Sequence, residues 1–124
     1  MTEKPLLGCR ILIVEDDYYQ ARDVQFLLEL AGAQIVTAGA KLPDLAELLA
    51  QGRIDGCLVD VNLGAGSSFD FARALRDHAI PFVFLTGYPA SVLPADLADA
   101  PCLRKPATTR QIVEQLTSIS VGSN

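Results

Sequence analysis

The sequence predicts an α/β fold in which a parallel sheet of five strands is covered by helices on both faces. Two patterns predict it. Short, continuously apolar runs such as "CRILIV" (9–14) and "PFVFLT" (81–86) read as strands buried on both sides. They alternate with segments whose apolar residues recur at helical spacing, and such alternation implies parallel strands joined by right-handed crossovers. The length of 124 residues, with no internal repeat and no low-complexity linker, fits a single domain spanning the chain.

The elements follow in order. After the first strand, 18–32 reads as a helix on the spacing of Val24, Leu27, Leu28 and Ala31, with Gly32 suited to the position after its end. "QIVTA" (34–38) is a second strand. The segment 42–52 is a second helix with Pro43 in its first turn. "DGCLVDV" (55–61) is a third strand, followed by the glycine-rich loop 62–67. The helix 67–79 opens on Ser67 or Ser68 as cap. After the fourth strand, 87–101 contains Pro89, Pro94 and Pro101, so any helix there is short or broken. "CLRK" (102–105) is a fifth strand. The chain closes with a helix over 108–119, where Thr108 and Gln111 fit a capping box, and with a frayed end.

Composition narrows the function. Half the residues are hydrophobic, so a sizeable core is within reach. The net charge is −5 and no basic run exists, which argues against a nucleic-acid partner. Cys9, Cys57 and Cys102 are odd in number and form no metal-ligand spacing, so they read as small core residues in a reducing cytoplasm. No apolar stretch is long enough for a membrane span. "LLGC" (6–9) looks like a lipoprotein cleavage site but lacks the preceding basic and apolar regions of a signal peptide. His78, near a helix end, reads as a cation complementing the helix dipole rather than as a phosphate carrier.

In a parallel sheet, ligands bind beyond the carboxyl ends of the strands. Strand one ends in Glu15, Asp16 and Asp17, strand three carries Asp60, strand four ends in Thr86, and strand five ends in Lys105 followed by Pro106. Four acids, a hydroxyl and an amine at one rim exceed what helix capping needs. Clustered carboxylates call for a hard cation such as Mg2+. A carboxylate beside it can attack a phosphoryl group, while the metal and the ammonium neutralise charge on the transferring oxygens.

With those residues in place, "ILIVEDD", "LVDVNL", "FLTGY" and "RKP" resemble, in order and spacing, the receiver domains of two-component response regulators. The resemblance covers residues 8–119. It implies a flavodoxin-like (CheY-like) sheet of strand order 2-1-3-4-5. It makes Asp60 the phospho-acceptor and Glu15 and Asp16 the acidic pair holding Mg2+, Asp16 directly and Glu15 through water. Asn62 would offer its backbone carbonyl to the metal. Thr86 resembles the switch hydroxyl, Lys105 the family's lysine, and Pro106 the residue after it, often joined by a cis peptide bond. Asp17 falls outside the pair and reads as the cap of the first helix.

The resemblance further implies a cytoplasmic, stand-alone regulator, a monomer or weak dimer, that takes its phosphoryl group from a sensor histidine kinase or phosphotransfer protein. It would then act on a downstream protein, and it would catalyse only its own phosphorylation and dephosphorylation. "PFVFLTGY" (81–88) is similar to the PFxFATGxY signature of the FAT GUY receivers of alphaproteobacteria, which are linked to kinases of the HWE/HisKA2 type. Leu85 replaces the usual Ala. Cys102 stands where many receivers carry a switch aromatic, so Tyr88 is a candidate for part of that role, beside the reading of a partly exposed loop aromatic. Two rivals remain. A haloacid-dehalogenase-like phosphohydrolase would want a second acid at position 62, where Asn stands. A phosphorylation-independent interaction module would have lost a site residue.

Overall fold

A computed structural model of the chain describes residues 4–61 and 66–121. The strands β1 (Arg10–Val14), β2 (Gln34–Gly39), β3 (Gly56–Val61), β4 (Phe82–Thr86) and β5 (Cys102–Arg104) form one sheet, all parallel, in the order β2-β1-β3-β4-β5. The helices are α1 (Tyr18–Leu30), α2 (Leu45–Gln51), α3 (Gly66–Asp77) and α4 (Thr109–Val121). The strand order reverses between β1 and β3, the two strands that end in acids.

Side chains alternate across each strand, and the two faces bury different residues. Ile11, Ile13, Leu58, Val83 and Leu85 pack with Ala21, Val24 and Leu28 of α1 and with Ile112 and Leu116 of α4. Leu12, Val14, Cys57, Val59 and Phe84 pack with Leu45 of α2 and with Phe71, Ala72 and Leu75 of α3. Asp60 has the parity of Leu58, which directs it toward the face that α1 and α4 cover. The central strand β3 is buried throughout, and Asp60, next to its carboxyl end, is its one charged residue.

Local chemistry sets the helix ends. Asp17 accepts from the backbone N–H groups of Tyr19 (3.0 Å) and Gln20 (3.1 Å), capping α1 as the sequence suggested. Gly32 follows the helix at φ +103°, a conformation L side chains avoid, and a Cβ there would lie 2.9 Å from the backbone nitrogen of Leu7. Thr108 and Gln111 form the reciprocal capping box, at 2.8 and 3.0 Å.

Some expectations are corrected. Pro43 precedes α2 instead of sitting in its first turn, because Asp44 caps it by accepting from Glu47 N–H at 3.2 Å. The third helix starts at Gly66, so Ser68 lies inside it and is no cap; its buried hydroxyl faces the Asp60 carbonyl at 3.5 Å. Leu27 is 36% exposed, and Ala21 takes its place on the buried stripe of α1. Of the cysteines, Cys57 is buried, but Cys9 and Cys102 are only half-buried. His78 falls one residue past α3, with Nδ1 2.9 Å from the Ala74 carbonyl oxygen.

The proline-rich stretch forms two short 3-10 turns, Ala90–Val92 and Ala95–Leu97, where a fourth long helix would otherwise stand. Leu93, Leu97 and Ala100 nonetheless enter the core beside α3. Full burial of a side chain such as Leu97 stabilises by about 1.5–3 kcal/mol. Arg73 of α3 grips Asp96 through two contacts (2.8 and 3.1 Å), and Arg76 reaches the Asp96 carbonyl (2.6 Å) and Asp99 (3.3 Å).

Candidate functional site: an acidic rim with one ammonium

β1 ends at Val14, and Glu15, Asp16 and Asp17 follow as the chain turns into α1. Glu15 is buried, its backbone N–H donating to Gly39 at the end of β2 (3.0 Å). Its Oε1 accepts from Asp17 N–H at 3.0 Å, while Oε2 is buried with no hydrogen-bond partner among the described residues. Asp60, near the end of β3, is 7% exposed. Lys105 Nζ lies 3.0 Å from Asp60 Oδ1 and 3.9 Å from Glu15 Oε1. Apart from that ionic contact, Asp60 Oδ1 has no hydrogen-bond partner among the described residues.

Glu15, Asp16 and Asp60 each offer a carboxylate oxygen within 4.8 Å of the others, the one such group among the described residues. Three carboxylates against one ammonium leave negative charge unbalanced, and burial makes this costly. Burial, with Asp60 alongside, pushes the Glu15 carboxyl up to about 8. Burial, then the contact with Asp16, also raises Asp60. The more exposed Asp16 goes the other way, lowered chiefly by its hydrogen-bonding contact with Asp60. Burial pulls on the Lys105 ammonium to lose its proton, but the surrounding acids outweigh it and the net shift is upward. Buried carboxylate oxygens without donors, gathered within one coordination radius, fit a hard divalent cation such as Mg2+.

Thr86 ends β4 in register with Val61 and Arg104. It is fully buried. Its backbone carbonyl accepts from Lys105 N–H (2.7 Å), and its Oγ1 accepts from Tyr88 N–H (3.0 Å). Among the described residues, no group accepts the hydroxyl proton of Thr86. The Tyr88 side is 39% exposed, so that residue meets Thr86 through its backbone. Cys102 is paired with Phe84 and packs against the α3-side core, burial raising its thiol pKa. The Lys105–Pro106 peptide bond is cis. Asn62 lies outside the described residues.

The structure thus gathers Glu15, Asp16, Asp60 and Lys105 in direct contact, with Thr86 tied to Lys105 through the backbone. Sequence reasoning missed Gln20 of α1, whose Nε2 donates to the Ala107 carbonyl at 3.2 Å. A glutamine on a helix surface carries no signal of that bond. A cavity of about 380 Å3 opens here between Asp17, Gln20, Lys105, Pro106 and Ala107. Another cavity, of about 640 Å3, is at the opposite end of the sheet beside Cys9, Asp55 and Ser120, away from the acid cluster.

Comparison with known proteins bears on the family and the fold. A search of curated proteins finds no match. Among solved structures, the solution structure of SdrG from Sphingomonas melonis Fr1 is 34% identical, with 91% of this chain and 97% of that one covered and a TM-score of 0.64. The BeF3-activated conformation of SdrG from Pseudomonas melonis Fr1 is 32% identical, with 98% and 100% covered and a TM-score of 0.66. The response regulator TrrA from Thermotoga maritima, in complex with Mg(2+)-BeF, shares the fold at 19% identity, with 90% and 98% covered and a TM-score of 0.69. The model of the response regulator receiver domain matches residues 11–117, and the chain belongs to that family.

Proposed function

We propose that this chain is a phosphorylation-switched regulator that receives a phosphoryl group on Asp60 from a histidine kinase or a phosphotransfer protein. The observation that carries the reading is the Asp60 carboxylate, held 3.0 Å from Lys105 and within 4.8 Å of Glu15 and Asp16 at the end of the central strand. Asp16 would hold Mg2+ directly and Glu15 through water, with Asp60 and the Asn62 carbonyl completing the protein's share. When bound, Mg2+ supplies positive charge against the phosphoryl oxygens.

The chain's own residues do the rest. An Asp60 carboxylate oxygen attacks the phosphorus of the phosphohistidine, the P–N bond breaks, and its electron pair leaves with the imidazole. Lys105, 3.0 Å away, counters in part the burial that raises the Asp60 carboxyl and then faces the phosphoryl group. Thr86, whose oxygen already accepts from Tyr88, donates its hydroxyl proton to a phosphoryl oxygen. The Tyr88 backbone and the packed turns beyond it then feel the change, and a different protein surface is favoured. Cys102 in place of an aromatic makes the backbone link through Tyr88 the main route, and Pro106 follows Lys105 at the turn into α4.

The narrower reading is a member of the FAT GUY subgroup, acting as one domain in the cytoplasm with an HWE/HisKA2-type kinase and an unidentified downstream protein. "PFVFLTGY" and the broken helix after it support this. A phosphohydrolase of the haloacid-dehalogenase type is not favoured, since position 62 is Asn and the family is that of receivers. The test is phosphotransfer from phosphorylated kinases with Mg2+, run beside Asp60→Asn. Label enters the wild-type chain alone if the reading holds; equal labelling of both chains removes Asp60 as acceptor.

A further inference from the structure

We infer that Gln20 is a positioning residue for Lys105, tying the loop that carries the ammonium to the helix that follows the acidic cluster. The inference rests on the proposed phosphorylation of Asp60 and assigns that reaction a residue from outside the rim.

Lys105 is bound at its own N–H to Thr86 O (2.7 Å), and Thr108 N–H is bound within the capping box of α4. Between them lie Pro106, which has no N–H, and Ala107. Among the described residues, Gln20 is the one side chain hydrogen-bonded to this two-residue link. The bond joins residues 87 positions apart in sequence, and both its partners line the cavity shared with Asp17, Lys105 and Pro106.

The other end of Gln20 is equally fixed. Its backbone N–H is held by the Asp17 carboxylate, and the Asp17 N–H is held by Glu15 Oε1. A continuous chain of hydrogen bonds therefore runs from the buried acid Glu15 through Asp17 and Gln20 to Ala107, two residues beyond Lys105. The Lys105 side chain is 34% exposed and long, with much rotamer freedom to lose. Among the described residues the shorter of its two ionic contacts, 3.0 Å to Asp60 against 3.9 Å to Glu15, defines the direction from which positive charge reaches the acceptor. A displacement of the loop moves the ammonium off that line, and electrostatic stabilisation falls off steeply with misplacement.

The test is a double-mutant cycle on the full chain, with phosphoramidate as donor and Mg2+ in excess. Phosphorylation is read by intact mass at timed intervals, for Gln20→Met, Lys105→Met and the pair. Gln20→Met keeps the size and flexibility of the side chain but removes the donor. It is expected to slow phosphorylation about threefold to tenfold in the wild-type background and to add nothing in the Lys105→Met background. The Mg2+ concentration at half-maximal rate stays unchanged, because Gln20 acts on the ammonium and not on the acids. Equal slowing in both backgrounds, or none in either, overturns the inference. If the wild-type chain itself gains no phosphoryl group, the proposed function fails, a result separate from a normal rate in Gln20→Met.

Discussion

A carboxyl group as deeply buried as that of Glu15, with Asp16 and Asp60 beside it, keeps its proton far longer in the folded chain than in the unfolded one. Its pKa rises from an ordinary 4.5 to about 8. Between those values the folded state binds more protons than the unfolded state, so unfolding free energy falls as pH rises through the window. Asp60, also raised, adds to the slope in the same direction, and Lys105 opposes it only in part. Urea denaturation of the metal-free protein is therefore expected to give a higher midpoint at about pH 5.5 than at about pH 8.5. Glu15→Gln, which cannot ionise, should flatten that dependence and raise the midpoint at the alkaline end. An unchanged slope in Glu15→Gln would place the charge strain elsewhere. The same residue illustrates how a site stores instability: its Oε2 is buried with no hydrogen-bond partner among the described residues.

At the scale of elements, two joints carry most of the argument. The first is Gly32 after α1, where a positive φ coincides with the close approach of the Leu7 backbone. Gly32→Ala is expected to cost about 1–3 kcal/mol, measured by denaturant unfolding, since backbone and not a flexible side chain stands in the way. A change within a few tenths would mean that the Lys4–Gly8 turn moves freely aside. The second joint is the stretch after β4. Its prolines forbid a regular helix, but its leucines reach the core and Arg73 and Arg76 hold its acids against α3. Exposed ion pairs of this kind stabilise little, roughly 0–1 kcal/mol each, so the stretch depends on Leu93 and Leu97. Thr86 should pass the effect of phosphorylation into it through the Tyr88 N–H. Amide exchange over residues 88–101, with and without beryllofluoride as phosphoryl mimic, is expected to differ, most at Tyr88. Equal protection in both states would remove the stretch from the switch.

For the whole molecule, the parallel sheet and the gathering of Glu15, Asp16, Asp60, Thr86 and Lys105 were legible because strand ends in a parallel sheet share an edge whatever the loops do, while the strand order followed only from the receiver resemblance. The starts of α2 and α3 were not, because Asp44 competed with Pro43 for the first position and Ser68 turned inward to the Asp60 carbonyl. Leu27 was misplaced because the helix stripe is narrow and Ala21 fills it equally well. Gln20 was invisible because its partner is a backbone carbonyl on the far side of the chain. The central claim is that all this architecture serves one carboxylate. Its most direct test is to phosphorylate the chain with phosphoramidate and Mg2+, reduce the acyl phosphate with borohydride, and map the modified residue by peptide mass. The account predicts homoserine at position 60 and no product in Asp60→Asn. Modification at another residue, or undiminished modification of the variant, would contradict it.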